Sequence, residues 1–169
     1  IDPDYTPQQV AQIKEGMKGY NQMVSKKLTG QSNPVDINNT SERGHYDQFG
    51  GRGMALSQNY RNSTVTIHEM GHHLEHHNSD VHYQAQRFLN YRTQGESTIS
   101  LATHTGHVSY DKSEVTKPDR FINPYMGKIY NDNNGRNYAT EIISMGLEKM
   151  WADPVGFAKA DPQYFDFMY

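Results

Sequence analysis

Apolar residues recur at Val10, Ile13, Met17, Tyr20, Val24 and Leu28, the three-to-four-residue beat of one helix face. Thr6-Pro7-Gln8-Gln9 stands just ahead of that stripe. It offers a capping hydroxyl, a proline at the first helical position and a glutamine three places after the cap. The pattern predicts a first helix that ends at Gly30. From Gln31 to Gly53 the chain turns to Asn, Ser, Gly and Asp, the composition of loops or short irregular strands. Met54-Ala55-Leu56-Ser57 reads as a short strand and Asn59-Tyr60-Arg61-Asn62 as a polar turn. Asn62 or Ser63 then caps a helix whose apolar side is built from Val65, Ile67, Met70 and Leu74. Asn78-Ser79-Asp80 break that helix and cap another, running through Val81, Ala85, Phe88, Leu89 and Arg92. Polar residues return from Gly95 to about Asn137, with one strand candidate at His107-Val108-Ser109-Tyr110. A last long helix is expected from Asn137 to Ala152, stopped by Asp153-Pro154. The aromatic tail FAKADPQYFDFMY is expected to pack back onto the body.

Composition narrows the partners more than the fold. At 169 residues the chain, residues 1–169, reads as a single domain, long enough to bury a core without staples. It has no cysteine, which excludes disulfides and thiolate metal sites and leaves the redox compartment open. A net charge of −3 without a Lys/Arg run argues against nucleic acid as a partner. No apolar stretch approaches the roughly 20 residues of a membrane span. The start, IDPDYTPQQ, lacks the charged and apolar regions of a signal peptide and reads as an excised or processed domain. The oligomeric state is not legible.

The helix after Asn62 carries the chemistry. In TVTIHEMGHHLEHHN five of the nine histidines fall within ten positions. Residues four apart on a helix lie one turn above each other, offset by about 40°, so His68 and His72 face the same way. Both imidazoles can reach one ion, and Glu69, about 100° round from His68, sits beside them without being a ligand. His76 is two turns from His68, about 12 Å along the axis, beyond the reach of bonds of about 2.0–2.1 Å. His73 and His77, themselves four apart, are rotated about 140° and about 180° from His68. With His82, these three read as exposed or outer polar residues. Gly71 costs roughly 1 kcal/mol of helix propensity against Ala, a cost explained if something approaches the helix closely there.

A catalytic zinc keeps three protein ligands and one open position, so a third ligand must come from elsewhere. A continuation as H-E-x-x-H-x-x-G-x-x-H fails, because Glu75 and Asn78 occupy the required Gly and His positions. Glu141 is the candidate: its neighbours Ile142, Ile143 and Met145 are apolar, and a carboxylate among them is costly unless it is paired or binds a cation. Glu148, two turns on along the same face, is the rival, expected in an ion pair or an outer position.

His68-Glu69-Met70-Gly71-His72 followed by a later helical Glu resembles the zincin metallopeptidases of the glutamate-ligand type, the gluzincins. Thermolysin-like members carry the second motif as N-E-x-x-S-D; here Thr140-Glu141-Ile142-Ile143-Ser144-Met145 keeps E-x-x-S. The long separation of His72 from Glu141 is more in keeping with toxin-like zinc peptidases. The resemblance implies an α+β, zincin-like fold, mainly helical with a small sheet beside the histidine helix. It implies Zn2+ on His68, His72 and Glu141, Glu69 as general base and then acid, and a protein or peptide substrate cut by activated water. An oxyanion-stabilising side chain is also implied. Tyr138 is the first candidate, on the expectation that it shares a helix face with Glu141; Tyr130, His104 and His107 compete with it. The strand at Gly53–Ser57 is the expected sheet edge for an extended substrate. An effector or toxin domain, secreted or delivered into a target cell as part of a larger chain, fits this resemblance. Two other functions stand beside it: a non-proteolytic zinc module closed by a fourth ligand such as His104 or His107, and a zinc hydrolase of a non-backbone amide.

Overall fold

Thr6 caps the first helix, α1 (Pro7–Met23), in the way its sequence predicts. Its hydroxyl accepts the Gln9 amide, and the Gln9 side chain turns back to the Thr6 backbone. The stripe does not run unbroken to Leu28, because Val24 is extended and a one-turn helix, α2 (Lys26–Thr29), follows separately. The computed structural model describes residues 1–29, 35–41, 44–47, 53–57, 62–131, 135 and 137–169. The expected stop at Gly30 and the turn residues 59–61 lie outside these.

Three short strands come next: β1 (Asp36–Thr40), β2 (His45–Tyr46) and β3 (Gly53–Ser57). Their order is β1-β3-β2, with β1 parallel and β2 antiparallel to β3. Met54 and Leu56 of β3 are fully buried. The chain then enters α3 (Ser63–His77), the histidine helix. Asn62 caps it by accepting the Thr64 amide at 2.9 Å. Asn78 ends α3 and caps α4 (Ser79–Arg92), where its side chain accepts from the amides of Asp80 and Val81.

The polar stretch beyond holds more regular structure than its composition suggests. It contains β4 (Ile99–Ser100), α5 (Leu101–Thr105), β5 (Val115–Thr116), a 3-10 turn (Pro124–Gly127), β6 (Lys128–Asn131) and β7 (Asn137–Ala139). The strands form an antiparallel sheet in the order β4-β5-β6-β7. His107–Tyr110 is turn rather than strand, with Val108 wholly exposed and so gaining nothing from pairing. The last long helix, α6 (Ile142–Ala152), begins after β7 instead of at Asn137, because Asn137–Ala139 pair with β6. Asp153-Pro154 ends it as expected and opens α7 (Pro154–Ala160), followed by α8 (Pro162–Met168). The aromatic tail does fold back: Tyr164 is fully buried against the rings of Phe88, Phe121 and Phe157.

The result is a mixed, mainly helical α+β fold with two small sheets. Helix α3 packs against α1 on one side and α6 on the other. Ile13, Ile67 and Ile142, one from each helix, are fully buried, each worth about 1.5–3 kcal/mol of transfer from water. This packing sets the histidine helix against the start of α6.

Candidate metal centre

Helix α3 presents His68 and His72 one turn apart, their rings edge to face with centroids 4.9 Å apart. The two Nε2 atoms are 3.2 Å from each other. From the junction of β7 and α6, Glu141 brings Oε2 to 3.3 Å from each of these nitrogens. Three donor atoms therefore stand at the corners of a nearly equilateral triangle. The approach depends on Gly71: a Cβ there would lie 2.6 Å from Ser144 Cα and 2.9 Å from Ser144 N, so the two helices touch where a side chain would stand.

The triangle has the dimensions of a tetrahedral face. Ligands about 2.0–2.1 Å from a tetrahedral zinc lie about 3.3–3.4 Å from one another. Glu69 also brings a carboxylate oxygen within 4.8 Å of the ligand atoms of both histidines. Glu141 is nevertheless the better third corner, because one oxygen is equally close to both nitrogens. Glu69 stands beside the triangle, buried, with Oε2 lacking a hydrogen-bond partner among the described residues.

Two of the three corners, Glu141 and His68, are supported from outside. Glu141 is fully buried. Its Oε2 accepts from the Ser144 hydroxyl at 2.7 Å, and its Oε1 accepts a short hydrogen bond from the Tyr130 hydroxyl. Glu148 Oε1 lies 2.6 Å from His68 Nδ1, off the line of a well-aligned N–H···O bond. This is the ion pair expected of Glu148, and it sets a carboxylate behind the His68 ring nitrogen that faces away from the triangle. His72 Nδ1 is buried without a partner among the described residues.

The electrostatics ask for positive charge at the triangle. Burial opposes a charge on His68, yet the carboxylates of Glu141, Glu148 and Glu69 raise its pKa to about 9. Burial would raise the Glu141 pKa, but His72, His68 and the hydrogen bonds to the carboxylate hold it well below the usual range. A site that draws a proton onto an imidazole between carboxylates also favours a divalent cation there. Glu69 has its pKa pushed up, chiefly by burial, a setting suited to exchanging a proton.

The remaining histidines separate into distinct roles. His73 is buried rather than exposed; its Nδ1 is 3.2 Å from the Tyr46 hydroxyl, which is in turn 3.1 Å from His77 Nε2. Burial, helped by His77 and His76, lowers the His73 pKa to about 4. His76 is exposed, and His82 pairs with Glu75. His104 and His107 are exposed on and just after α5, outside the cluster. The helix-face argument for Tyr138 does not hold, because that residue lies in β7 and Glu141 is the N-cap of α6. Tyr138 is at the surface, its ring 5.9 Å from that of Tyr130. Strand β3 is not an edge: it runs between β1 and β2. The edge beside the site is β2, and a Cβ on the preceding Gly44 would be 3.7 Å from Glu69 Oε1.

Comparisons with protein families, curated proteins and solved structures found no match. Function is thus read from the site alone. Sequence reasoning missed Glu75 and Thr140, which bond to each other across 65 positions; nothing local marks such a pair.

Proposed function

We propose that the protein is a zinc-dependent peptidase of zincin-like fold, hydrolysing peptide bonds of a protein substrate. One observation carries this reading: the 3.2–3.3 Å triangle of His68, His72 and Glu141, with a buried, partly unpaired Glu69 carboxylate beside it. A zinc ion supplies the Lewis acidity that polarises a carbonyl and lets water ionise near neutral pH. His68, His72 and Glu141 would hold it. Glu69 takes a proton from the attacking water and hands it to the leaving amine, a role worth about 10²–10⁴-fold in rate. The raised pKa of Glu69 suits both halves of that exchange. Tyr130 is committed to orienting Glu141, which leaves Tyr138, at the surface beside it, as the hydroxyl for the developing oxyanion.

Elemental analysis of purified protein is expected to give about one zinc per chain, lost in His68→Ala and Glu141→Ala. Proteomic mapping of new termini after exposure to wild-type protein should show cleavage, with none above background for Glu69→Gln, which keeps its metal. Continued cutting by Glu69→Gln would overturn the mechanism.

A further inference from the structure

Glu75 is a buried carboxylate to which the chemistry above gives no part. It lies on α3, three residues beyond His72, and is 4% exposed. Three donors converge on it. The Thr140 amide donates to Oε1 at 2.9 Å, the Thr140 hydroxyl donates to Oε2 at 2.9 Å, and His82 Nδ1 lies 2.9 Å from Oε1. An unpaired carboxylate at this depth would be costly; this one is satisfied, and two of its three partners belong to a single residue.

That residue immediately precedes Glu141. Glu141 occupies the N-cap position of α6, yet its side chain makes no capping bond. The hydroxyl of Thr140 does so instead, accepting from the Ile142 amide at 3.2 Å. A hydroxyl has one proton and two lone pairs, so it can donate to Glu75 and still accept from Ile142. With the helix start capped by its neighbour, the Glu141 carboxylate is left to face the imidazoles.

We infer that Glu75 is the positioning residue for the third ligand, clamping Thr140 so that Glu141 stays at the corner set by His68 and His72. The inference rests on the metal reading above. Ser144 and Tyr130 act on the carboxylate oxygens of Glu141; Glu75 acts on the backbone that delivers them. Because α3 carries both imidazoles as well as Glu75, one rigid helix fixes two corners directly and anchors the third. His82, from α4, steadies the anchoring carboxylate.

The test compares zinc affinity of wild-type, Glu75→Gln, Thr140→Ser and Thr140→Val proteins by chelator competition. It is joined to the visible spectrum of the cobalt(II)-loaded proteins and hydrogen exchange of the Thr140 amide. Glu75→Gln keeps the side-chain volume but puts an amide NH2 in place of one of the two oxygens that accept from Thr140. It should bind zinc about 10–100-fold more weakly, as loss of an outer-shell partner commonly does. Its cobalt spectrum should shift and its Thr140 amide should exchange faster, while Thr140→Ser should retain wild-type affinity. A merely structural role predicts a lower unfolding midpoint with unchanged zinc affinity and cobalt spectrum, and that result would overturn the inference. Should Glu75→Gln fail to fold, Thr140→Val is decisive: it puts a methyl in place of the hydroxyl that donates to Glu75 and caps Ile142 and should weaken zinc about tenfold, and wild-type affinity would refute the clamp. Wild-type protein that binds no zinc would instead overturn the metal reading itself. Wild-type binding with unaffected variants would sink only the role of Glu75.

Discussion

Replacing Gly71 with alanine separates the metal site from the fold that carries it. The added Cβ would sit 2.6 Å from Ser144 Cα, 0.8 Å inside the 3.4 Å at which ordinary contact begins. Both neighbours closer than 3 Å are backbone atoms of α6, so no side chain can swing aside. Relief requires α3 and α6 to part locally by several tenths of an ångström. Overpacking of this kind costs about 1–3 kcal/mol, and the gain in helix propensity from Gly to Ala returns roughly 1 kcal/mol. A net loss of about 0–2 kcal/mol leaves the protein folded. The metal corner tolerates far less, since ligand distances are held to about ±0.2 Å and Glu141 lies one turn before Ser144 on the displaced helix. The expected result is a Gly71→Ala protein with a near-native denaturation midpoint and zinc affinity reduced about 10–100-fold. Chelator competition and urea denaturation, run on the same preparations, measure the two quantities. Zinc affinity within twofold of wild type would refute the reasoning, because it would show that the contact does not set the triangle.

Four further outcomes follow from the same geometry. Glu148→Gln, which weakens the hold on His68 Nδ1, should lower zinc affinity about 10–100-fold without preventing folding, as read by competition titration. Tyr130→Phe should weaken zinc binding, whereas Tyr138→Phe should leave zinc content intact and lower kcat; steady-state kinetics with metal analysis distinguishes them. Zinc at 100 times its dissociation constant should stabilise the folded protein by about 2.7 kcal/mol, seen as a higher Tm that a chelator abolishes. Arg92 ties Asp119 and Asp161 together beneath the ring of Phe121, so Arg92→Ala should cost about 3–5 kcal/mol in chemical denaturation and leave the zinc affinity of the folded fraction unchanged.

What the sequence made legible was local. Thr6, Asn62 and Asn78 cap helices because a short side chain reaches an amide two or three residues on, a relation readable within four positions. His68 and His72 are read the same way, through the pitch of one helix. Glu141 stood out as an acid among apolar neighbours, and Gly71 as a helix cost in want of a close neighbour, which proves to be Ser144. The misreadings came where pairing at a distance overrode local preference. The helical pattern extends over Asn137–Ala139, but β6 offers these residues a ladder. His107–Tyr110 alternates like a strand but pairs with no strand among the described residues. The helix-face argument for Tyr138 fails for the first of these reasons, and the tie of Glu75 to Thr140 went unread because the two are 65 positions apart.

The floor under the first turn of α6 has a bearing on biosynthesis. The hydroxyl of Tyr164, deep in the α8 region, bonds the Ile142 carbonyl, and its ring is walled by Phe88, Phe121 and Phe157. During translation the two imidazoles emerge first, their carboxylate companion 69 residues after His72 and this aromatic prop later still. Closure of the triangle therefore depends on long-range contacts, which are intrinsically slow to form. A chain that has reached Glu141 but not yet Tyr164 would hold all three side chains of the triangle without the aromatic floor beneath α6.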